Sequence, residues 1–329
     1  MLRAGIIGCN GISGLYDQNF FERPSKFSIT HAGAYHLSKN YELCSVSDID
    51  ENQLELFSNF WSVKKTYKNY QEMLDTEDLD IISICVPSNL HHKVFMDVAN
   101  YDVKGIFCEK PLALNLQDAL EMKSIAENKD IKVSINYFRR WNRTVKDIKS
   151  KINENEYGKF IKGIFKYTKT TQNNASHLID LANWLFGLNS TLNFIRSHDK
   201  DKFRYVDFSM GYKDGTFIDF LHIPNDDKYI FIDCELYFEN AVINLSQRGQ
   251  FCSVNKICDD KIYDNFRIIE NSNLIETDWK DAPLRALNSL YYSITENADV
   301  ESSIDDSILV IEQIMNLENS FKENKNNGK

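Results

Sequence analysis

The sequence predicts an α/β protein in two parts. A doubly wound parallel sheet is expected over residues 1–136, and an α+β domain with a large, mainly antiparallel sheet over residues 137–329. Three observations carry this. Short β-rich runs alternate with helical stretches through the first 136 residues, a glycine-rich turn directly follows the first run, and later strand-like runs succeed one another with few helices between them. Strands separated by helices need right-handed crossovers and so form a parallel sheet, whereas consecutive hairpins form an antiparallel one.

In the first half, strands are read at Leu2–Ile7, Glu42–Ser47, Ile81–Val86, Gly105–Cys108 and Lys132–Ile135, with helices at Glu51–Trp61, His91–Asn100 and Leu116–Asn128. The last helix is the clearest, since Leu116, Ala119, Leu120, Met122, Ile125 and Ala126 fall on one side. A charged stretch, Lys146–Gly158, reads as a linker. Beyond it come strand-like runs at Phe160–Lys169, Arg204–Tyr212, Thr216–Ile223, Tyr229–Tyr237 and Ala241–Leu245, with one helix inserted at Ser176–Phe186. Lys213-Asp214-Gly215 supplies a hairpin turn. Two helices, about Pro283–Asn297 and Ser303–Phe321, close the chain. The second opens with Ser303 and Asp306 at capping-box spacing and carries Ile304, Ile308, Ile311 and Met315 along one stripe.

Composition limits the function classes. With 329 residues, 43% hydrophobic and 26% charged, the chain is neither disordered, collagen-like nor a coiled coil, and its length suits two domains. A net charge of −10 argues against nucleic acid as partner, because its binders carry a basic face. No apolar run reaches the roughly 18 residues of a membrane span, and glycines enter the first run too early for a secretory signal. The seven cysteines are odd in number and form no C-x-x-C; Cys44, Cys85, Cys108 and Cys234 lie in apolar runs. A reducing cytoplasm without disulfides or a structural metal is therefore expected.

The first strand ends in Gly8-Cys9-Asn10-Gly11-Ile12-Ser13-Gly14. A glycine turn at this place lets a pyrophosphate approach backbone N–H groups and a helix N-terminus, which makes Gly8, Asn10, Gly11 and Ile12 candidate cofactor residues. Asn10 stands where the second glycine of G-x-G-x-x-G is usual, and asparagine tolerates left-handed φ better than most residues. Asp48, at the tip of the second strand, suits the adenosine ribose hydroxyls and repels a 2′-phosphate, favouring NAD over NADP. An insertion, Leu15–Ile29, lengthens the spacing from Gly8 to Asp48. Asp48 is alternatively a helix cap, although Asp50 suits that place better. Lys39, near in sequence to the ribose site, keeps NADP open.

Two further strand ends face the same crevice: Pro87-Ser88-Asn89-Leu90-His91 and Cys108-Glu109-Lys110-Pro111. An ammonium there can donate to a substrate oxygen and lower its pKa; otherwise Lys110 is a surface loop lysine. In the second half, Asn173 and His177 are four residues apart and Asp180 three further on, so all three can share one helical face. His177, near a helix start, suits a neutral general base or a structural hydrogen bond. Asn136 precedes the pair Arg139 and Arg140, which suits a phosphate or carboxylate, or ion pairing.

Taken together and in order, these segments resemble the glucose–fructose oxidoreductase, inositol dehydrogenase and rhizopine-catabolism (Gfo/Idh/MocA) family. The most specific parts are Cys108–Pro111, Pro87–His91, and Ser176-His177-Leu178-Ile179-Asp180 with Trp184–Gly187. The resemblance covers nearly the whole chain, and Thr30–Tyr35 looks like the family's first helix after an extended loop. It implies an N-terminal Rossmann domain for NAD(P), with Gly8, Asn10, Gly11, Ile12, Asp48, Pro87, His91 and Glu109 at the cofactor. It also implies a C-terminal sheet often used to form a homodimer or homotetramer. Lys110 matches the lysine that touches the reacting hydroxyl, and His177 the histidine proposed as acid/base. Asn136, Arg139, Arg140, Lys169, Asn173 and Asn174 would meet a sugar, nucleotide-activated or otherwise phosphorylated if the cations meet phosphate. Asn173 falls where many members carry Asp, and Ser88 where Asn is common. The implied reaction moves a hydride between the nicotinamide and a sugar hydroxyl or ketone. Two alternatives stand beside it: a glycoside hydrolase that recycles its NAD, and a non-catalytic NAD-binding regulator.

Overall fold

The computed structural model describes residues 1–20, 26–187, 190–198, 205–224, 229–270 and 272–326. They fall into two compact units, Met1–Trp141 with Lys280–Ile311, and Asn142–Trp279 with Glu312–Lys329.

In the first unit the strands β1 (Leu2–Ile7), β2 (Tyr41–Ser47), β3 (Lys65–Tyr67), β4 (Ile81–Ile84), β5 (Gly105–Cys108) and β6 (Lys132–Ile135) form a parallel sheet in the order β3-β2-β1-β4-β5-β6. Helices α1 (His31–Leu37), α2 (Glu51–Trp61), α3 (Tyr70–Thr76), α4 (His91–Val98) and α5 (Leu116–Asn128) connect them. This is the expected doubly wound order. It reverses at β1, so a crevice opens beyond the carboxyl ends of β1 and β4. β3 escapes a pattern reading because its three residues, Lys-Thr-Tyr, are short and largely exposed. α1 starts at Thr30, whose side chain accepts from the Gly33 N–H, and α2 at Asp50, which accepts from Asn52 and Gln53.

In the second unit, α6 (Arg143–Asn153) occupies most of the stretch read as a linker. Val145 and Ile148 are buried on one side, and Asn142 caps its start by accepting from the Val145 N–H. The high charge belongs to a solvated helix face rather than to a linker. A nine-stranded sheet follows, built from β7 (Phe160–Tyr167), β8 (Ser190–Ser197), β9 (Val206–Tyr212), β10 (Phe217–His222), β11 (Ile232–Phe238), β12 (Ala241–Ser246), β13 (Phe251–Asp259), β14 (Arg267–Glu270) and β15 (Ile275–Glu276). The order is β14-β13-β12-β11-β7-β10-β9-β8, with β15 on β13, and every pairing is antiparallel except β7 with β10. Gly215, at φ 86°, closes the β9–β10 hairpin as expected. Residue Arg204 of the strand expected at Arg204–Tyr212 lies outside the described residues. α7 (Ser176–Phe186) packs on this sheet through Phe186, whose ring lies 4.2 Å from that of Phe160.

Two closing helices follow, α8 (Ala282–Glu296) and α9 (Ile304–Asn326). Sequence order groups α8 with the second half, yet it completes the core of the first unit. Ala282, Ala286, Leu287 and Leu290 are fully buried in one cluster with Tyr41, Phe57, Phe107 and Trp141, and the Tyr41 hydroxyl donates to the Leu287 carbonyl at 2.8 Å. The turn Phe138–Trp141 sides with the first unit for the same reason: Trp141 is buried, edge-on to Phe107. The start of α9 is the expected capping box. The Asp306 N–H donates to Ser303 Oγ, and Asp306 Oδ2 accepts from the Ser303 N–H and hydroxyl. Among the described residues no helix is long and apolar enough to cross a membrane.

Candidate active site

The glycine turn after β1 adopts its shape through Gly8. Its φ is 98°, and a Cβ there would lie 2.7 Å from the Cys85 carbonyl oxygen, so only glycine fits. Asn10 corrects the expectation from sequence, since it lies outside the left-handed region. Its side chain acts instead: Nδ2 donates to the Cys85 carbonyl and Oδ1 accepts from the Ser13 N–H at 3.2 Å. Asn10 thus ties the β1 turn to the end of β4, a bond glycine cannot make. Gly14 provides the close approach of the motif, because a Cβ there would meet the rings of Phe57 and Trp61 at 2.3 and 2.5 Å. The Ile12 carbonyl accepts from the His31 N–H, which joins the turn to α1. A would-be Cβ on Gly11 meets the ring of Tyr16, the second residue of the insertion. The insertion is closed at its base by buried Asp17, which accepts from the hydroxyls of Ser28 and Thr30 and from the Ile29 N–H.

Asp48 stands at the end of β2, with Oδ2 accepting from the Cys9 N–H at 2.6 Å and Oδ1 from the Asp50 N–H at 2.8 Å. Asp50 caps α2, which leaves Asp48 to the crevice. A cavity of about 310 Å³ opens there, with Gly8, Asn10, Asp48, Lys68, Tyr70 and Pro87 on its walls. Lys68 is paired with Glu51. A bare-backbone turn, a carboxylate at one corner and an apolar wall at Pro87 are a set of groups that fits an adenosine diphosphate moiety.

His91 is not a wall of that cavity. It is 1% exposed, and its ring nitrogens face two carbonyl oxygens, of Pro111 at 2.7 Å and Val86 at 3.0 Å. Leu90 takes the lining place instead.

Glu109, at the end of β5, is held by two donors: Asn136 Nδ2 at 2.6 Å and His31 Nε2 at 3.0 Å, both on Oε1. Burial pushes its pKa up, but these hydrogen bonds and the nearby Lys110 ammonium outweigh that and hold it below the ordinary value. Lys110 follows, half-buried, before a cis bond to Pro111. Asn136 keeps its Oδ1 buried and without a hydrogen-bond partner among the described residues. The paired arginines separate from this group. The Arg140 guanidinium is engaged by Asp306 at 3.1 Å and the Glu301 carbonyl at 3.0 Å, a structural use that displaces the substrate role expected for it. Arg139 is 4% exposed, with its guanidinium over the Phe138 ring at 4.5 Å.

In the second unit, Lys169 sits at φ 62° just after β7, and Thr171–Ala175 form a π-helical turn that leads into α7. Thr170 caps this turn, accepting from the Asn173 N–H at 3.2 Å. The wider turn breaks the four-residue register expected between Asn173 and His177. Asn173 is exposed, His177 half-buried and Asp180 1% exposed, so the three do not share one environment. Asn174 is 6% exposed and its Nδ2 has no hydrogen-bond partner among the described residues.

Sequence reading missed His31, Ser83 and Tyr35. Their side chains meet Glu109 and one another across separations of 48 to 78 residues, which no local pattern signals.

Residues 2–137 match the family described as an oxidoreductase family with an NAD-binding Rossmann fold, Gfo/Idh/MocA. The N-terminal part of this chain is similar to that family, and its parallel sheet is the NAD-binding Rossmann fold. Two curated relatives are similar to it. Myo-inositol 2-dehydrogenase of Thermotoga maritima is 26% identical over 158 residues, 48% of this chain and 42% of the relative. Glucose-6-phosphate 3-dehydrogenase of Bacillus subtilis is 30% identical over 161 residues, 49% of this chain and 41% of the relative. The matched stretch therefore spans less than half of either relative. A levoglucosan dehydrogenase solved with NADH shares the fold across both units, with a TM-score of 0.78 at 15% identity, covering 98% of this chain and 97% of that one.

Proposed function

We propose that the protein transfers hydride between NAD and a hydroxyl or ketone carbon of a sugar, and that this sugar is phosphorylated or nucleotide-activated. Asp48 carries the reading. Its carboxylate is fixed by the Cys9 and Asp50 amides at the corner of a cavity that fits an adenosine, where it favours a ribose diol and repels a 2′-phosphate. The nicotinamide supplies the hydride chemistry when bound. The chain's own groups do the rest. Lys110 donates to the reacting oxygen and stabilises its developing charge, next to the Glu109 carboxylate. His177 takes up or returns the hydroxyl proton. Asn136, Asn173 and Asn174 serve the sugar hydroxyls; the buried amide atoms of Asn136 and Asn174 that have no partner among the described residues support this. Arg140 is engaged elsewhere and Arg139 is buried, so Lys169 is the cation assigned to phosphate. The likeness to glucose-6-phosphate 3-dehydrogenase supports a phosphorylated substrate. The same reading includes a cytoplasmic homodimer or homotetramer, which light scattering on the purified protein measures.

The test mixes purified protein and NAD with free sugars, inositols, sugar phosphates and nucleotide sugars, and follows reduced-nicotinamide absorbance. A rise for phosphorylated sugars that Lys110→Ala abolishes supports the proposal. A rise for free sugars alone corrects the substrate class. Sugar turnover without net NADH indicates the recycled-cofactor hydrolase. Turnover equal in wild type and Lys110→Ala removes the catalytic role.

A further inference from the structure

A buried chain of side chains runs from α1 to the segment that carries Lys110. The Tyr35 hydroxyl lies 2.9 Å from Ser83 Oγ, Ser83 Oγ 3.0 Å from His31 Nδ1, and His31 Nε2 3.0 Å from Glu109 Oε1. Tyr35 is 2% exposed, while Ser83 and His31 are fully buried, and the imidazole rests on the Phe107 ring at 4.3 Å.

The hydrogens in this chain have one economical arrangement. Nε2 faces a carboxylate, so it must carry a hydrogen. If Nδ1 carries none, it accepts from the Ser83 hydroxyl, which in turn accepts from Tyr35. Each hydrogen is then used. If Nδ1 also carries one, either the Ser83 or the Tyr35 hydrogen has no acceptor inside the core, and a buried unmade bond is costly. Burial pushes the Tyr35 phenol pKa up, so it keeps its proton to donate.

We propose that His31 is a positioning residue, which fixes Glu109 as an ionised acceptor and through it the placement of Lys110. The inference rests on the role assigned to Lys110 above. Besides His31 and Asn136, the groups facing Glu109 are the Lys110 ammonium, His91 and the thiols of Cys85 and Cys108. Burial holds both thiols well above their ordinary pKa, so they add no charge. Without the His31 donor, Glu109 binds a proton more readily, and Lys110 loses its anionic neighbour as pH falls.

The direct test follows the Glu109 carboxyl by NMR in full-length protein labelled at glutamate side-chain carbons, with Glu109→Gln for assignment. Wild type is expected to titrate below the ordinary carboxylate range. His31→Phe keeps the ring stacking and loses both hydrogen bonds, so Glu109 should titrate about one to two pH units higher. His31→Gln places an amide N–H near the Nε2 position and should restore most of the shift. Ser83→Ala, with His31 intact, should give an intermediate value and carries the test if His31→Phe does not fold. An unchanged Glu109 titration in both His31→Phe and Ser83→Ala overturns the inference, as does a His31→Gln value no lower than that of His31→Phe.

This readout needs no substrate. Absence of sugar turnover in wild type therefore counts against the proposed function alone. Where turnover is found, His31→Phe should move the acid limb of the pH profile of kcat to higher pH through Glu109, and His31→Gln should move it back.

Discussion

His91 lies between two carbonyl oxygens, with Nδ1 2.7 Å from that of Pro111 and Nε2 3.0 Å from that of Val86. It thereby links the turn after β4 to the segment that carries Lys110. Both bonds would need an imidazolium, but burial opposes the charge and wins, so the ring's pKa lies below its ordinary value. The folded protein then binds this proton less readily than the unfolded chain. The stabilising contribution is complete above the unfolded pKa of about 6.5 and is lost as pH falls. His91→Gln should lower Tm most at pH 7–8, with a gap to wild type that shrinks toward pH 5. Thermal denaturation across that range measures it, and a constant gap would mean that His91 does not titrate on unfolding.

Asp48 holds the Cys9 amide as well as facing the cavity, so charge and scaffold must be separated. Asp48→Asn keeps an acceptor for that amide and removes the charge, but sets its amide nitrogen against the exposed Asp50 N–H. Tm should fall modestly, while NAD affinity falls about 10-fold to 100-fold and the preference over NADP shrinks, because hydrogen bonds to a charged acceptor contribute about 1.5–3 kcal/mol. Fluorescence titration with each cofactor reads both. An unchanged NAD affinity would remove Asp48 from the ribose site.

Gly8→Ala is expected to be worse than an ordinary glycine replacement. Its φ of 98° disfavours any Cβ, and the new atom would lie 2.7 Å from backbone oxygen, which cannot move aside as a side chain can. Strain of this kind costs about 1–3 kcal/mol, and the shifted turn should also weaken NAD binding. Denaturant unfolding and cofactor titration test the two effects separately.

The placement of α8 predicts how the protein can be divided. A fragment of residues 1–141 lacks Ala286, Leu287 and Leu290 and should expose the faces of Tyr41 and Phe107 that they cover. It should bind a hydrophobic dye and unfold without a sharp transition. In the full chain, Leu290→Ala should cost about 2–5 kcal/mol. Cooperative unfolding of the fragment alone would show that α8 is dispensable.

The elements visible in sequence are those whose cause is local. Leu2–Ile7, Gly105–Cys108 and Leu116–Asn128 are found where their apolar periods place them, and Ser303 with Asp306 cap α9 as their spacing implies. Gly8 and Asp48 were legible as a pair because the crossover topology brings the ends of β1 and β2 together. β3 and α6 were not, the first being short and exposed, the second having only a narrow buried stripe among charges.

By itself, then, the sequence determined the alternating first half, the hairpin-rich second half, the glycine turn after β1 and the ordered segments around Lys110 and His177. These depend on residue type and short spacing, which the chain carries without folding. The tertiary structure decided what each polar group does once buried. It assigned Asn10 to the Cys85 carbonyl, Arg140 to Asp306, His91 to two carbonyls and His31 to Glu109, and it returned α8 to the first unit. A buried donor must find an acceptor wherever the fold puts one, and in these cases that partner is brought close by the fold and not by neighbouring sequence.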